Sequence, residues 1–260
     1  GGAAADVCLL NPDEVTNPED IRFAACWLPG PDAFAPYPNL EMAMSVGAGV
    51  DALLNHPGLN KDVAVCRVRD PHQAHLMAGY AVHEVVHFER EFPQMARNQV
   101  AENWDPLPIR APADLKVVVL GNGSMGGAIV RALVAVVGMN VVINTLPLTT
   151  HTENVLNANL FSRLAKGAWL VQIGRGEHLA EADFIAALES GQLSGATLDV
   201  FRTDPLPADH PFWQDQRLRI TPHIASDTMP HIVSEQVLLS ARELLAGAPL
   251  SLSVNPAQGY

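Results

Sequence analysis

The sequence lacks the features that typify membrane-spanning and nucleic-acid-binding proteins. No apolar run approaches the ~20 residues needed to span a bilayer, and the longest, 132–143, is interrupted by Gly138 and Asn140. Lys and Arg number only 16 against 28 Asp and Glu, which gives a net charge of −12. Because nucleic acids and anionic membranes are polyanions, we expect neither of them as a partner.

Cysteine is also scarce. The 260 residues include only Cys8, Cys26 and Cys66, which are widely spaced and form neither a CxxC pair nor a metal-ligand pattern. The start of the chain shows no basic segment followed by an apolar one, as a secretory signal would. These observations predict reduced thiols, no bound metal and a cytoplasmic location.

What the sequence does contain is typical of a core-forming globular chain, with 48% hydrophobic and 17% charged residues. Short apolar runs separated by proline-containing turns fill the first 70 residues. A helical pattern follows over 72–104. Pro93 should kink this helix or split it in two. After a proline-rich linker at 106–112, strand and helix patterns alternate, which predicts an α/β fold with parallel sheets flanked by helices. The predicted strands are 7–10, 23–27, 41–46, 63–67, 116–120, 139–145, 168–173, 195–200 and 217–221, and the predicted helices after the linker are 125–137, with Gly138 as its C-cap, 154–164, 181–190 and 230–245.

A glycine-rich turn follows the strand at 116–120. The segment Gly121-Asn122-Gly123-Ser124-Met125-Gly126 fits the G-x-G-x-x-G pattern of dinucleotide sites. Its three glycines permit a tight turn, close approach of a pyrophosphate and close helix–strand packing. A tight turn without a ligand is the alternative. The Asp or Glu expected about 20 residues later is missing, since 141–145 carries no acid and the next one is Glu153.

Polar residues follow three later strands, at the edge where open α/β sheets bind ligands. Arg175 lies between two glycines, Asp199 and Asp204 follow one strand, and His223 follows Pro222. Arg can hold a substrate carboxylate, and His beside a carboxylate can give a proton near neutral pH. This is the minimum set for reducing a 2-oxo acid. Taken singly, each residue also fits a surface turn or a core position.

A competing motif lies on the long helix. His83-Glu84-Val85-Val86-His87 fits H-E-x-x-H, in which two His on one helix face bind zinc and Glu acts as base. No third ligand follows in the usual patterns, since Arg90 and Pro93 stand where Gly and His would be needed. We therefore do not expect zinc hydrolysis.

Taken together, the motifs resemble those of the D-isomer-specific 2-hydroxyacid dehydrogenases, and most of all the glyoxylate/hydroxypyruvate reductase A group. The resemblance covers nearly the whole chain. It rests on segments 45–51, 121–126, 146–149, 174–176, 198–201, 204–207, 210–213 and 221–225.

The resemblance implies two Rossmann-like domains with the active site in the cleft between them. The substrate-binding domain would comprise 1–92 and 239–260, and the dinucleotide-binding domain 93–238. It also implies a homodimer to which the long helix contributes, a cofactor that is NADP or NAD, and a small 2-oxo or 2-hydroxy acid as substrate.

Specific residues carry these implied roles. The catalytic residues would be Arg175, which polarises the 2-oxo acid, His223, the proton donor, and Asp204, its acidic partner. The substrate would also contact Trp27, Ala48 and Gly49. The cofactor would contact Gly121, Gly123, Ser124, Met125, Gly126, Leu146, Pro147, Ile173, Gly174 and Asp199, with Asp199 at the nicotinamide carboxamide.

The sequence departs from the family in two places. Asp204 stands where Glu is usual, and its shorter side chain predicts a longer contact to His223. The chain is also short by roughly 30 residues before Leu146, the stretch that would hold another strand, a helix and the cofactor-selecting residue. We accordingly expect an intact protein of roughly 310 residues.

The sequence thus predicts an oxidoreductase that reduces glyoxylate or hydroxypyruvate to a D-2-hydroxy acid with hydride from NAD(P)H. The alternative is a regulatory or corepressor-like protein that binds the cofactor on the same fold without turnover, because a fold does not fix a function.

Overall fold

The structure is a computed structural model that describes residues 7–108, 116–134 and 141–256. The chain divides into two compact units. Unit 1 comprises Gly1–His72 with Thr228–Tyr260, and unit 2 comprises Gln73–Asp227. The sequence places the domain boundaries at 92/93 and 238/239, and that assignment to functional domains stays a prediction.

Unit 1 is built on a parallel three-stranded sheet. Strands β1 (Phe23–Cys26), β2 (Met42–Ser45) and β3 (Ala64–Arg67) lie in chain order. All four residues of the central strand β2 are buried because the sheet is covered on both faces. Met42, Met44 and Cys66 pack with helix α7 (Pro230–Leu245), whereas Ala43 and Val65 pack around helix α1 (Asp51–Leu54).

Unit 2 contains a parallel five-stranded sheet whose strands also lie in chain order. Its strands are β4 (Val117–Leu120), β5 (Val141–Asn144), β6 (Ala168–Gln172), β7 (Leu193–Leu198) and β8 (Leu218–Ile220). Its helices are α2 (Pro71–Glu89), most of which belongs to unit 2, α3 (Phe92–Val100), α4 (Ser124–Val134), α5 (Ala158–Phe161) and α6 (Glu181–Glu189).

The two faces of this sheet carry different helices. Successive strand residues point to opposite faces, and Val142 and Leu170 accordingly pack with α5 and α6, whereas Ile143 and Val171 pack with α2 and α4. The connections that contain α4, α5 and α6 all step across the sheet in the same direction. Of these three helices, α4 alone packs on the second face.

The alternation of strands and helices predicted from the sequence is confirmed by both parallel sheets. The long helical region is divided as Pro93 indicated, because α2 ends at Glu89 and α3 begins at Phe92. The predicted strand at 7–10 is wrong, since Leu9 and Leu10 are exposed and belong to no strand. The end of the predicted helix 125–137, its cap at Gly138 and the linker residue Pro112 lie outside the described residues. Within the described part of the chain, no helix has both the length and the apolar character needed to cross a membrane.

Candidate functional site

The glycine-rich turn has the shape that a bound pyrophosphate requires. Gly121 adopts φ +99°, a left-handed conformation that favours glycine. A Cβ on Gly126 would collide with the carbonyl oxygen of Gly121, whereas one on Gly123 would meet nothing within 4 Å. Gly123 and Ser124 are exposed, and α4 begins at Ser124, so its first N–H groups face open space beside Gly123. The predicted residues therefore fit a dinucleotide phosphate site, with Met125 in the same helical turn.

The segments that follow β4 and β5 lead to helices on opposite faces of the sheet. After β4 the chain enters α4 on one face of the sheet, and after β5 it passes through Leu146 and Pro147 to α5 on the opposite face. Ligands of open α/β sheets bind where successive connections diverge in this way beyond the carboxyl ends of the strands. The predicted cofactor residues at 121–126 and 146–147 thus follow two neighbouring strands at the edge of the sheet where such ligands bind.

His223 and Asp204 meet at the carboxyl end of the sheet. His223 follows β8 and Asp204 follows β7, and His223 Nδ1 donates to Asp204 Oδ2 over 2.8 Å. Each side chain is one-third exposed, so the pair is accessible to a small molecule. The lengthening expected from the shorter Asp side chain is not observed, since the contact is 2.8 Å. The distance is typical of a charge-assisted hydrogen bond.

The buried carboxylate of Asp199 holds the loop that contains His223. Asp199 is 1% exposed, and its carboxylate accepts hydrogen bonds from Thr221 Oγ1 at 2.5 Å and from the N–H groups of Ile224 and Ala225 at 2.9 Å each. These bonds fix the loop although His223 has the unfavourable φ of +56°. Asp199 thereby positions His223. Its predicted contact to the nicotinamide carboxamide stays a prediction.

Tyr80 extends this arrangement to α2. Its hydroxyl lies 2.7 Å from Thr221 Oγ1, and burial together with the nearby carboxylate of Asp199 raises the pKa of Tyr80 well above its usual range. Since Thr221 donates its proton to Asp199, Tyr80 donates to Thr221. Tyr80 and Thr221 are 141 positions apart in the sequence, and they belong to one series of hydrogen bonds that ends at the His223 loop.

Arg175 lies in the loop after β6, at the same edge of the sheet. Its Nη1 donates to the Gly174 carbonyl over 2.8 Å. The following residue, Gly176, is in direct contact with the backbone of Phe201 and Arg202, where any Cβ would collide. This contact holds the Arg175 loop against the segment that leads from β7 to Asp204.

A buried polar network lies beneath the Arg175 loop. Asn144 Nδ2 donates to Gln172 Oε1 at 2.7 Å and to His178 Nδ1 at 2.8 Å, and all three side chains are fully buried. His178 Nδ1 also accepts from the Arg175 N–H at 3.2 Å, so its proton is on Nε2, which lies 3.3 Å from the Pro147 carbonyl. His178 therefore connects the loops that carry Pro147 and Arg175.

The two remaining predicted cofactor residues lie beside this network. Ile173 is 4% exposed, and its N–H donates to the Asn144 carbonyl. A Cβ on Gly174 would come within 2.7 Å of Asn144 Nδ2, so the loop tolerates only glycine without rearrangement.

Sequence reasoning missed Asn144, Gln172, His178 and Tyr80. A signal existed for the first two, since each is a polar residue at the end of an otherwise apolar strand. Buried polar groups need partners, so these residues should have indicated a network. No nearby sequence pattern indicated the roles of His178 and Tyr80, because their hydrogen-bond partners lie far away in the chain.

The predicted substrate residues of unit 1 lie together. The Trp27 ring covers Gly47, where a Cβ would approach within 2.5 Å of a ring carbon. The adjacent Ala48 carbonyl accepts from Arg67 Nη1 over 3.2 Å, and burial lowers the pKa of Arg67. Arg67, which the sequence did not single out, thus supports the loop that contains Ala48 and Gly49.

The H-E-x-x-H segment has a structural explanation. Glu84 is 1% exposed and accepts from Thr197 Oγ1 at 2.7 Å, and Arg219 Nε lies 3.1 Å from its other oxygen. The carboxylate thus ties α2 to strands β7 and β8, and its Oε1 also lies 3.6 Å from His83 Nε2. Among the described residues, no group of three or more His, Cys, Asp or Glu side chains is placed to hold a metal.

Comparison with known proteins identifies the family. Residues 138–225 match the sequence model of the D-isomer specific 2-hydroxyacid dehydrogenase NAD-binding domain. The glyoxylate/hydroxypyruvate reductase A of Serratia proteamaculans is 34% identical over 273 residues, which cover 92% of this chain and 87% of that protein. The chain belongs to the D-isomer-specific 2-hydroxyacid dehydrogenase family.

Solved structures of this family agree with the assignment. A family member from Xanthobacter autotrophicus, solved with NADPH and MES, is 33% identical with a TM-score of 0.85, covering 95% of this chain and 88% of that one. The NADPH-dependent glyoxylate/hydroxypyruvate reductase of Sinorhizobium meliloti, solved with NADP and sulfate, is 27% identical with a TM-score of 0.87, covering 96% and 90%. As a family member, the protein is an NAD(P)H-dependent 2-hydroxyacid oxidoreductase.

Proposed function

We propose that the protein reduces glyoxylate and hydroxypyruvate to the corresponding 2-hydroxy acids, with the D configuration in the product of hydroxypyruvate. The observation that carries this proposal is the pair of His223 and Asp204 at 2.8 Å, at the same sheet edge as the Arg175 loop and the glycine-rich turn. The relatives named glyoxylate/hydroxypyruvate reductase A from Serratia and Yersinia, 34% and 33% identical, support the choice of substrate.

The chemistry assigns one task to each side chain. The reduced nicotinamide supplies the hydride to the carbonyl carbon of the substrate. Arg175 holds the substrate carboxylate and polarises the carbonyl, for which a guanidinium fork is well suited. His223 gives a proton from Nε2 to the carbonyl oxygen as negative charge develops there. Asp204 accepts from Nδ1 and orients the ring, so Asp204 is a positioning residue.

The direct test is oxidation of NADPH and NADH in the presence of glyoxylate, hydroxypyruvate, pyruvate and phenylpyruvate. We expect turnover with the first two and the D configuration in the product of hydroxypyruvate. His223→Ala should abolish turnover without loss of cofactor binding, and Arg175→Ala should chiefly raise KM. His151→Ala and Arg163→Ala, which replace exposed residues, are the matched controls. Cofactor binding without turnover on any substrate would favour the regulatory alternative.

A role for unit 1 in substrate binding is part of the proposal. The N–H groups near Ala48 and Gly49 would bind the substrate carboxylate, and Trp27 would line its site. The support is that the Trp27 ring covers the loop that begins at Gly47. Trp27→Ala should raise KM for the 2-oxo acid, whereas Trp213→Ala, at the same 48% exposure, should not. Equal effects of the two substitutions would contradict this role.

We also propose a homodimer in the cytoplasm. The three cysteines carry no disulfide and vary from exposed Cys8 to buried Cys66, which is consistent with a reducing compartment. Sedimentation equilibrium tests the assembly, since a dimer doubles the mass of the chain. A monomer across the micromolar range would contradict it.

A further inference from the structure

We propose that Arg67 supplies the positive charge with which the loop after β2 binds the carboxylate of the 2-oxo acid. This loop, residues 46–50, contains Ala48 and Gly49. The inference rests on the proposed function, because it concerns the same substrate. It goes beyond that function by assigning a role to a residue outside the predicted site. Arg67 acts through the loop and is therefore a positioning residue.

The loop after β2 contains two backbone donors without an acceptor in the described part of the chain. These are the N–H groups of Ala48 and Gly49, and both residues are partly exposed. By contrast, the Gly47 N–H donates to Oγ of the buried Ser45 over 3.3 Å, which fixes the start of the loop. Successive N–H groups on a fixed backbone suit an anion, so the loop can accept a carboxylate.

Arg67 lies directly beside this loop. It is the last residue of β3 and pairs in register with Ser45, the last residue of β2. Its Nη1 donates to the Ala48 carbonyl over 3.2 Å. That carbonyl and the Gly49 N–H belong to one peptide group, so a cation at the oxygen polarises the group and makes the N–H a stronger donor. Arg67 thus strengthens the binding of an anion that it need not touch.

The charge of Arg67 lacks a counter-charge among the described residues. The side chain is half-buried, and its Nε is enclosed without a hydrogen-bond partner. Burial and the neighbouring cation Arg69 lower the pKa of Arg67, and no described carboxylate offsets them. Buried cations are normally paired, because removing a charge from water is costly. An anionic ligand at the loop would supply the missing counter-charge.

A purely structural role for Arg67 explains these observations less well. A neutral donor would hold the Ala48 carbonyl without the cost of a half-buried charge. The chain carries a net charge of −12, so an anionic substrate needs a local positive charge at its site. Replacing Arg67 by a neutral side chain of similar length should therefore weaken the binding of the substrate but not the fold.

Steady-state kinetics with glyoxylate and urea unfolding test both parts of this expectation. Arg67→Met should raise KM about tenfold or more, since a hydrogen bond to a charged group contributes on the order of 10- to 100-fold. The values of kcat and of the Kd of NADPH should not change, and the free energy of unfolding should be unchanged or higher. Arg67→Lys keeps the charge and should restore most of the affinity. Arg69→Met is the matched control, because it removes a nearby exposed charge that donates to the Ser253 carbonyl instead.

The outcomes separate this inference from the proposed function. A higher KM in Arg67→Met but not in Arg69→Met, without loss of stability, would support it. Equal KM values in the two variants would overturn it and leave the proposed function intact. A loss of stability in Arg67→Met with unchanged KM would also overturn it, because Arg67 would then be only structural.

A binding experiment decides the inference even if the wild type reduces no 2-oxo acid, a result that would refute the proposed function. The NADPH complex is titrated calorimetrically with oxamate, an unreactive amide analogue of a 2-oxo acid. Weaker binding of oxamate to Arg67→Met than to the wild type and Arg69→Met would support the inference. Equal binding to all three proteins, or binding to none, would overturn it.

Discussion

His223 Nδ1 donates to Asp204 Oδ2 over 2.8 Å, and this bond joins two loops that follow neighbouring parallel strands. It leaves Nε2 as the ring atom for the proton transfer that we propose. The imidazole is fixed from two directions, by Asp204 on the ring and by Asp199 on the backbone of the loop.

Replacing Asp204 tests this bond. Asp204→Asn keeps the size of the side chain but removes the negative charge that orients the ring, and we expect kcat to fall by about 10- to 1000-fold. KM and the cofactor Kd should be unchanged. Asp204→Glu restores the usual family residue and should retain most of the activity. Asp209→Asn, an exposed neighbour, is the control. Equal kcat in wild type and Asp204→Asn would refute the positioning role.

His178 should affect substrate binding without touching substrate. His178→Leu removes the acceptor of the Arg175 N–H and one of the two acceptors of the buried Asn144 amide, which should lower the free energy of unfolding by about 1–3 kcal/mol. Because the Arg175 loop is then less constrained, KM for the 2-oxo acid should rise. Urea unfolding and steady-state kinetics measure the two effects, with exposed His151→Leu as control. A loss of stability with unchanged KM would show that His178 is only structural.

The hydrogen bonds around Asp199 should be unequal in importance. Asp199→Asn places an amide against donors that now bind a carboxylate, and we expect a loss of about 1–3 kcal/mol in the free energy of unfolding together with low kcat. Tyr80→Phe removes only the outer bond, since Thr221 keeps Asp199 as its acceptor, and should cost about 0.5–1.5 kcal/mol.

The control for Tyr80→Phe is Tyr37→Phe. The Tyr37 hydroxyl has no hydrogen bond within the described residues. If Tyr80→Phe lowered the free energy of unfolding as much as Asp199→Asn, the bond between Tyr80 and Thr221 would not be the less important outer bond that the geometry indicates.

The cysteines should differ in reactivity. Burial, with a smaller contribution from Glu243, raises the pKa of Cys66 to about 11, whereas Cys8 is exposed. At pH 8 only about one Cys66 thiol in a thousand is ionised, and the thiolate is the reactive form. Iodoacetamide should therefore modify Cys8 first and Cys66 last, as mapped by mass spectrometry. Urea should abolish the difference, and faster modification of Cys66 than Cys8 in the folded protein would contradict it.

The raised pKa of Cys66 also predicts how the stability of the protein changes at alkaline pH. The folded-state pKa of Cys66 lies above that of an unfolded thiol, so folding favours the protonated form. The corresponding stabilisation is complete below about pH 9 and is lost as pH rises toward about 11. Cys66→Ala should remove this part of the pH dependence of urea unfolding. Identical alkaline slopes in wild type and variant would contradict the assignment.

Local features of the fold were predictable from the sequence alone. Alternating strand and helix patterns predicted both parallel sheets, and Pro93 predicted the break between α2 and α3, because backbone preference and side-chain periodicity act over a few residues. The turn at Gly121 was likewise evident, since only glycine adopts its conformation without strain. Arg175 and His223 were singled out because polar residues after buried strands collect at one edge of a parallel sheet.

Which of these residues act together depends on contacts between distant parts of the chain. The bond between Asp204 and His223, the network of Asn144 and His178, and the link from Tyr80 to Thr221 each join residues that are 19 to 141 positions apart. No local pattern encodes such contacts, because they arise when strands align in register. The face on which α4 packs was decided in the same way, by which side of the sheet could bury its apolar residues.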